Sequence, residues 1–242
     1  MGFPFQYAVT SESQPGVFPA GLRHIDASIT PSTPHSCVVA LFSDNGMGAP
    51  VPASGWPLYS GHSAGGFFYR DYVGAAAINF DASVNAGSNG GFYSDASIAL
   101  VLASNATLGD IGIIAQWTVG GSVPHLTASP QTSGIALPNH TTIVVGLQST
   151  VQSGGEASLT AVTDSDGNHY YGPINKSRIT GEVYYGYSVS CFVAIDIPAN
   201  PALIIYASTD QLAAASYSQL TARAFTGPYK LGSGFAFGGM ML

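Results

Sequence analysis

Apolar residues along this chain fall into short runs, broken about every 8 to 12 residues by Gly, Pro, Asn, Asp and Ser, the spacing of an all-β sandwich or jelly roll. In the first half, Cys37 to Phe42, Phe67 to Tyr72, Gly74 to Phe80, Ile98 to Ala103 and Ile111 to Trp117 read as strands. In the second, Thr141 to Leu147, Glu182 to Tyr187, Val189 to Asp196 and Ala202 to Ala207 do the same. Ser158 to Val162 and His169 to Tyr171 flank Asp164-Ser-Asp-Gly-Asn168 and predict a hairpin, because Asp166-Gly167 supplies the backbone freedom of a tight turn. Asp210 to Phe225 carries two signals. Its alanines and a Thr209 or Asp210 cap favour helix, whereas the alternation of Ala215, Tyr217, Gln219, Thr221 and Arg223 favours strand.

An internal repeat decides for strand. At an offset of 115 residues, Tyr69 meets Tyr184, Tyr72 meets Tyr187 and Asp81 meets Asp196; at an offset of 105, Pro34-His35 resembles Asn139-His140. The order of strand, long loop, paired strands and last strand recurs, and duplication accounts for it. The expected fold is therefore all-β, with two tandem, internally related antiparallel β-sandwich modules of jelly-roll type. Residues 1–34, with Pro4, Pro15, Pro19, Pro31 and Pro34, are expected to form an extended arm. The modules are placed at 35–118 and 139–226, joined by a Pro/Gly linker at 119–138. The remainder, 227–242, is a Gly-rich apolar tail.

Composition narrows the function. Charged residues are 8% of 242, against roughly 25% in an average soluble domain. Hydrophobic residues are 46%, which excludes a disordered chain. Six Lys and Arg at a net charge of −7 cannot supply the basic footprint of a nucleic-acid partner. No apolar run reaches the roughly 18 residues of a membrane-spanning helix, and the first sixteen residues lack the pattern of a secretory signal. The few charges, such as Asp164, Asp166 and Lys176, are expected on exposed loops. Cys37 and Cys191 lie in apolar strands; they are either two free thiols acting as small hydrophobes or a disulfide between the halves.

Motifs for chemistry are sparse. The six histidines show no HxH or HExxH spacing, so no metal ligands are assigned. Gly61-His-Ser-Ala-Gly65 spells a nucleophile elbow but precedes a strand rather than a helix. Asp164 to Asn168 starts like a calcium loop, yet the places for its glycine and glutamate hold His169 and Asn175. No catalytic residue and no cofactor follow. The aromatic residues, 11% of the chain, are the stronger signal. Phe3, Phe5 and Tyr7 near one end and Phe235, Phe237, Met240, Met241 and Leu242 at the other are expected at subunit contacts, where exposed apolar groups find cover. Trp56 and Tyr59 are candidates for stacking on a sugar.

Three segments, PHSCVVALF from Pro34, PASGWPLYSG from Pro52 and GGFFYRDY from Gly65, resemble in order the structural proteins of tailed-bacteriophage virions built on β-sandwich or jelly-roll modules: tail fibres, neck appendages and head-decoration proteins. The second half lacks the GW element. The resemblance implies a non-enzymatic subunit of a tail, fibre or appendage. Such a subunit is made in the host cytoplasm and located in the virion, in contact with copies of itself, with other virion proteins and, in host attachment, with a surface glycan. The alternatives are a head-decoration (cement) protein and a carbohydrate-binding β-sandwich module.

Overall fold

A computed structural model describes residues 5–14, 22–31, 36–43, 51–52, 58–62, 65–72, 76–85, 93–102, 106–118, 125–128, 137–152, 157–179, 185–210 and 215–226. Among them there is no helix, and the chain is all-β. The first eight strands are β1 (Gln6–Gln14), β2 (Leu22–Ile29), β3 (Ser36–Ser43), β4 (Val51–Pro52), β5 (Leu58–His62), β6 (Gly65–Tyr72), β7 (Ile78–Asn85) and β8 (Tyr93–Leu102). The next eight are β9 (Ala106–Thr118), β10 (His125–Ala128), β11 (Thr141–Gln152), β12 (Leu159–Asp164), β13 (Tyr171–Ile179), β14 (Tyr185–Ile197), β15 (Ile205–Thr209) and β16 (Ala215–Thr226).

These strands form four antiparallel sheets. Sheet I has the order β1-β8-β3-β6-β5 and sheet II the order β2-β7-β4; sheet III runs β13-β14-β11-β16-β9 and sheet IV runs β10-β15-β12. Adding eight to every strand of sheets I and II reproduces the neighbours of sheets III and IV.

Several sequence expectations change here. Residues 1–34 are not an arm without regular structure: β1 pairs with β8, and β2 pairs with β7. The prolines flank these strands instead of interrupting them. Gln6–Gln14 lies between Pro4 and Pro15, and Leu22–Ile29 between Pro19 and Pro31, so no ladder hydrogen bond is lost to proline. The 119–138 segment includes β10, which pairs with β15. β9, placed by sequence in the first module, pairs with β16 in sheet III. The expected hairpin at Asp166-Gly167 is instead a corner between sheets, because β12 pairs with β15 and β13 with β14.

The 115-residue offset does not match equivalent strands. Asp81 lies in β7 opposite Asp26 of β2, whereas Asp196 lies near the end of β14. From Tyr185 on, the two strands read at 182–187 and 189–196 are one, β14, and Ser188 within it is held by its hydroxyl, which donates to the Ala157 carbonyl at 2.6 Å. The 105-residue offset does place β3 against β11 in order. The 215–226 segment is a strand, as the repeat predicts.

Two cores hold the sheets together. Between sheets III and IV, Ile143, Val145, Leu147, Leu220, Ala222 and Ala224 pack with Leu159, Val162, Ile205 and Ala207. Between sheets I and III, Val39, Leu41, Ile98, Leu100 and Leu102 pack with Val144, Val189, Cys191, Val193 and Phe225. β11 is thus covered on both faces, which explains its nearly unbroken buried run from Thr141 to Ser149. Ser97, Ala99 and Val101 alternate with the inter-sheet residues of β8 and are buried on its opposite face. On sheet I, β1 and β8 pack against β2 of sheet II.

The approach of sheets I and III is close. A Cβ on Gly146 would stand 2.2 Å from Leu41 Cδ2, so only glycine fits opposite that leucine. Leu41 and Gly146 are equivalent at the 105-residue offset. Where two equivalent positions face each other, both cannot be large, and here one is leucine and the other glycine.

Candidate functional site

The best-defined polar constellation gathers at one end of sheets III and IV, where the turns 137–141, 164–170 and 196–204 meet. Asp164, 8% exposed, anchors it. Its Oδ1 accepts the N–H groups of Asp166 and Asn168, each at 3.0 Å; its Oδ2 accepts Asn168 Nδ2 at 2.9 Å and the Tyr170 hydroxyl at 3.1 Å. This is the Asx-turn chemistry that lets an aspartate replace a ladder at a corner. Gly167, at φ 74°, completes the turn in the left-handed region with nothing near a would-be Cβ. Burial, with the Asp164 charge and hydrogen bond behind it, pushes the Tyr170 phenol far up, so it stays a neutral donor.

The neighbouring turns tie onto this corner. Asn200 Nδ2 donates to Asp166 Oδ2, Ser165 N–H donates to the Ile204 carbonyl at 2.9 Å, and Leu137 and Asn200 exchange backbone bonds at 2.9 Å. Asn139 Oδ1 accepts Ala199 N–H at 2.8 Å. His140 Nδ1 lies 2.6 Å from Asp196 Oδ1, and the two residues have φ of 62° and 57°. Their side chains are 59% and 53% exposed, so the pair is solvated and contributes about 0–1 kcal/mol. The hydrogen-bond partner of the His140 ring among the described residues is Asp196. Asp164, Asp166, Asn139 and Asn200 thus use their side chains to hold these loops together as a structural clasp.

Other chemical candidates disperse. His62 stands opposite Gly65 in the β5–β6 pairing, so the element after Gly61-His-Ser-Ala-Gly65 is a strand where an elbow needs a helix. No group of three or more His, Cys, Asp or Glu side chains able to hold a metal occurs among the described residues. Cys191 is a free thiol in the core between sheets I and III, and burial pushes it far up. Iodoacetamide should therefore leave Cys191 unmodified in the native chain and label it in urea, as read by peptide mass spectrometry; native labelling would contradict this burial.

The expectation that charges sit on exposed loops holds for Asp166 and fails for Asp164 and for Arg223, which is 2% exposed. Arg223 lies on β16 with Val144 of β11 and Asp110 of β9 as its register partners. Gln148 Nε2 and Thr221 Oγ1 in the same sheet are buried with no hydrogen-bond partner among the described residues.

The apolar candidates divide. Phe5, expected at a subunit contact, is 5% exposed and belongs to the core between sheets I and III, where it meets Tyr171 edge to face at 6.3 Å. Tyr7 is 44% exposed on β1. Tyr59 lies on β5. Phe3, Trp56, Phe235, Phe237, Met240, Met241 and Leu242 lie outside the described residues. The sequence reading overlooked Val9, 40% exposed and two residues from Tyr7; the signal was the alternation of QYAVTSESQ between two prolines.

Sheets I and III and this exposed β1 strip define an all-β protein of several antiparallel sheets. Comparison with known proteins adds nothing to that class: no family model, no curated protein and no solved structure matches the chain.

Proposed function

We propose that this chain is a non-enzymatic structural subunit of a bacteriophage virion, in which two tandem jelly-roll modules assemble with copies of themselves in a tail, fibre or appendage. The observation that carries the reading is the strand order. One sheet of each half runs first-eighth-third-sixth and the other second-seventh-fourth, and this order recurs after eight strands. Apart from the fifth strand, which extends the first sheet beside the sixth, this matches the order of a jelly roll, an architecture used by viral capsid and lectin domains. The meeting of Leu41 with Gly146 supports duplication, since positions equivalent at the 105-residue offset face each other.

The low charge supports assembly. Ser, Thr, Asn and Tyr can hydrogen-bond at a contact without the cost of burying ions. The resemblance of PHSCVVALF, PASGWPLYSG and GGFFYRDY points to the virion rather than to other users of the fold, which by itself does not fix function.

Sedimentation of the full chain at micromolar concentration tests the reading. The expected result is a discrete multimer that is also found at stoichiometric level in purified particles. A single-chain mass of 24.8 kDa would overturn it. A glycan-array signal abolished by Trp56→Ala, with a monomeric mass, would replace it with a carbohydrate-binding module.

A further inference from the structure

We propose that β1 is an acceptor edge, and that the C-terminal segment Gly234 to Phe237 of a neighbouring copy adds beside it as a further strand of sheet I. The inference rests on the self-assembly reading above and names its contact. β1 terminates sheet I. Among the groups that ordinarily blunt an edge strand against pairing, its nine residues, QYAVTSESQ, contain no Lys, Arg or Pro and a single charge, Glu12, beyond the Tyr7–Val9 strip. Tyr7 and Val9 are 44% and 40% exposed, two of the three large hydrophobics exposed among the described residues. They stand opposite Leu100 and Ile98 of β8, which lie in the core between sheets I and III, so the strip extends that core to the surface.

The occupant is argued from spacing and from where the chain leaves the fold. Beyond Thr226 the sequence contains Phe235-Ala-Phe237, two aromatics at the same i, i+2 spacing as Tyr7 and Val9. Laid beside β1, that segment puts both phenylalanines on the face of Tyr7 and Val9, covering apolar surface while its backbone continues the ladder. β16 is next to the edge strand β9, and Phe225 meets Tyr69 of β6, the strand beside edge strand β5. The tail therefore leaves near the β5/β9 side, while β1 lies across sheet I on the opposite side. Self-capture would carry the tail across about four strand spacings, roughly 19 Å, before it reached the edge. A neighbour set side by side brings its exit directly to β1, giving a head-to-tail contact, the kind that builds a ring or a filament according to the rotation between copies.

The test uses full-length chains. Ala8→Cys and Ala236→Cys stand on the face opposite the proposed contact and leave all four anchors intact. The two variants, one carrying a mass tag, are co-expressed and oxidised, with the wild-type chain as control. The expected product is a disulfide joining tagged to untagged chain, reduced at least about tenfold by adding Val9→Lys, which would bury an ammonium under the tail. A disulfide formed only within one chain carrying both cysteines overturns the neighbour as donor. No disulfide in either arrangement overturns the acceptor role of β1. Sedimentation separates these failures from failure of the parent reading. A multimer that persists after deletion of 227–242 leaves self-assembly standing and rejects the tail, whereas a single-chain mass of the intact protein rejects both.

Discussion

Replacing Phe225 with alanine is expected to destabilise the whole chain by about 3–5 kcal/mol, the cost of emptying an aromatic site that cannot collapse. Phe225 is fully buried at the end of β16, and its ring meets Tyr69 edge to face at 6.0 Å and 74°. The contact joins strands from the two halves of the sequence, since β16 belongs to sheet III and β6 to sheet I. Calorimetry should therefore show one transition, moved down by roughly 2–4 °C for each kcal/mol lost. Two transitions, of which only one moves, would mean that the core shared by Val39, Leu41, Ile98 and Leu100 with Val144, Val189 and Val193 does not couple the halves.

Asp164→Ala is expected to cost about 3 kcal/mol in urea unfolding, because it orphans donors that are held away from water. The carboxylate accepts four hydrogen bonds, and the Tyr170 hydroxyl, in a residue 7% exposed, has nowhere else to donate once the carboxylate is gone. Tyr170→Phe removes the hydroxyl along with its need for a partner and should cost only about 1 kcal/mol. In the double variant the two losses should fall short of additivity, since the orphaned hydroxyl of the first is absent from the second. Additive losses would show that Asp164 acts on the backbone of the turn alone. Because the turn carries the chain from sheet IV to sheet III, the variant should also loosen the clasp that Asp166 makes with Asn200.

Much of this fold is legible as local pattern. The 141–147 run predicts a strand, and β11 is one, buried on both faces. Asp210 to Phe225 resolves as strand only through the repeat, since its alanines alone point the other way. The prolines of the first 34 residues mislead, because proline density was read as absence of structure when the prolines mark strand ends. Asp166-Gly167 is correctly read as a turn and wrongly as a hairpin; a turn dipeptide fixes the reversal but not the partners of the flanking strands. At the candidate contact the sequence treats Phe5 and Tyr7 alike, yet Tyr7 is 44% exposed and Phe5, two residues earlier, is core.

By itself the sequence determined that the chain is all-β, where most of its strands lie, and that it is poor in charge. These are properties of side-chain period and composition, which act within a few residues. Only the tertiary structure decided which strands share a sheet, that β1, β2 and β10 belong to sheets, and that Arg223 and Asp164 are buried. Strand partners are set by long-range pairings such as Gln6 opposite Val101 and Ala106 opposite Thr226, and sheet partners by contacts such as Leu41 against Gly146. Local alternation says that a strand has a face to bury, but not what it buries that face against.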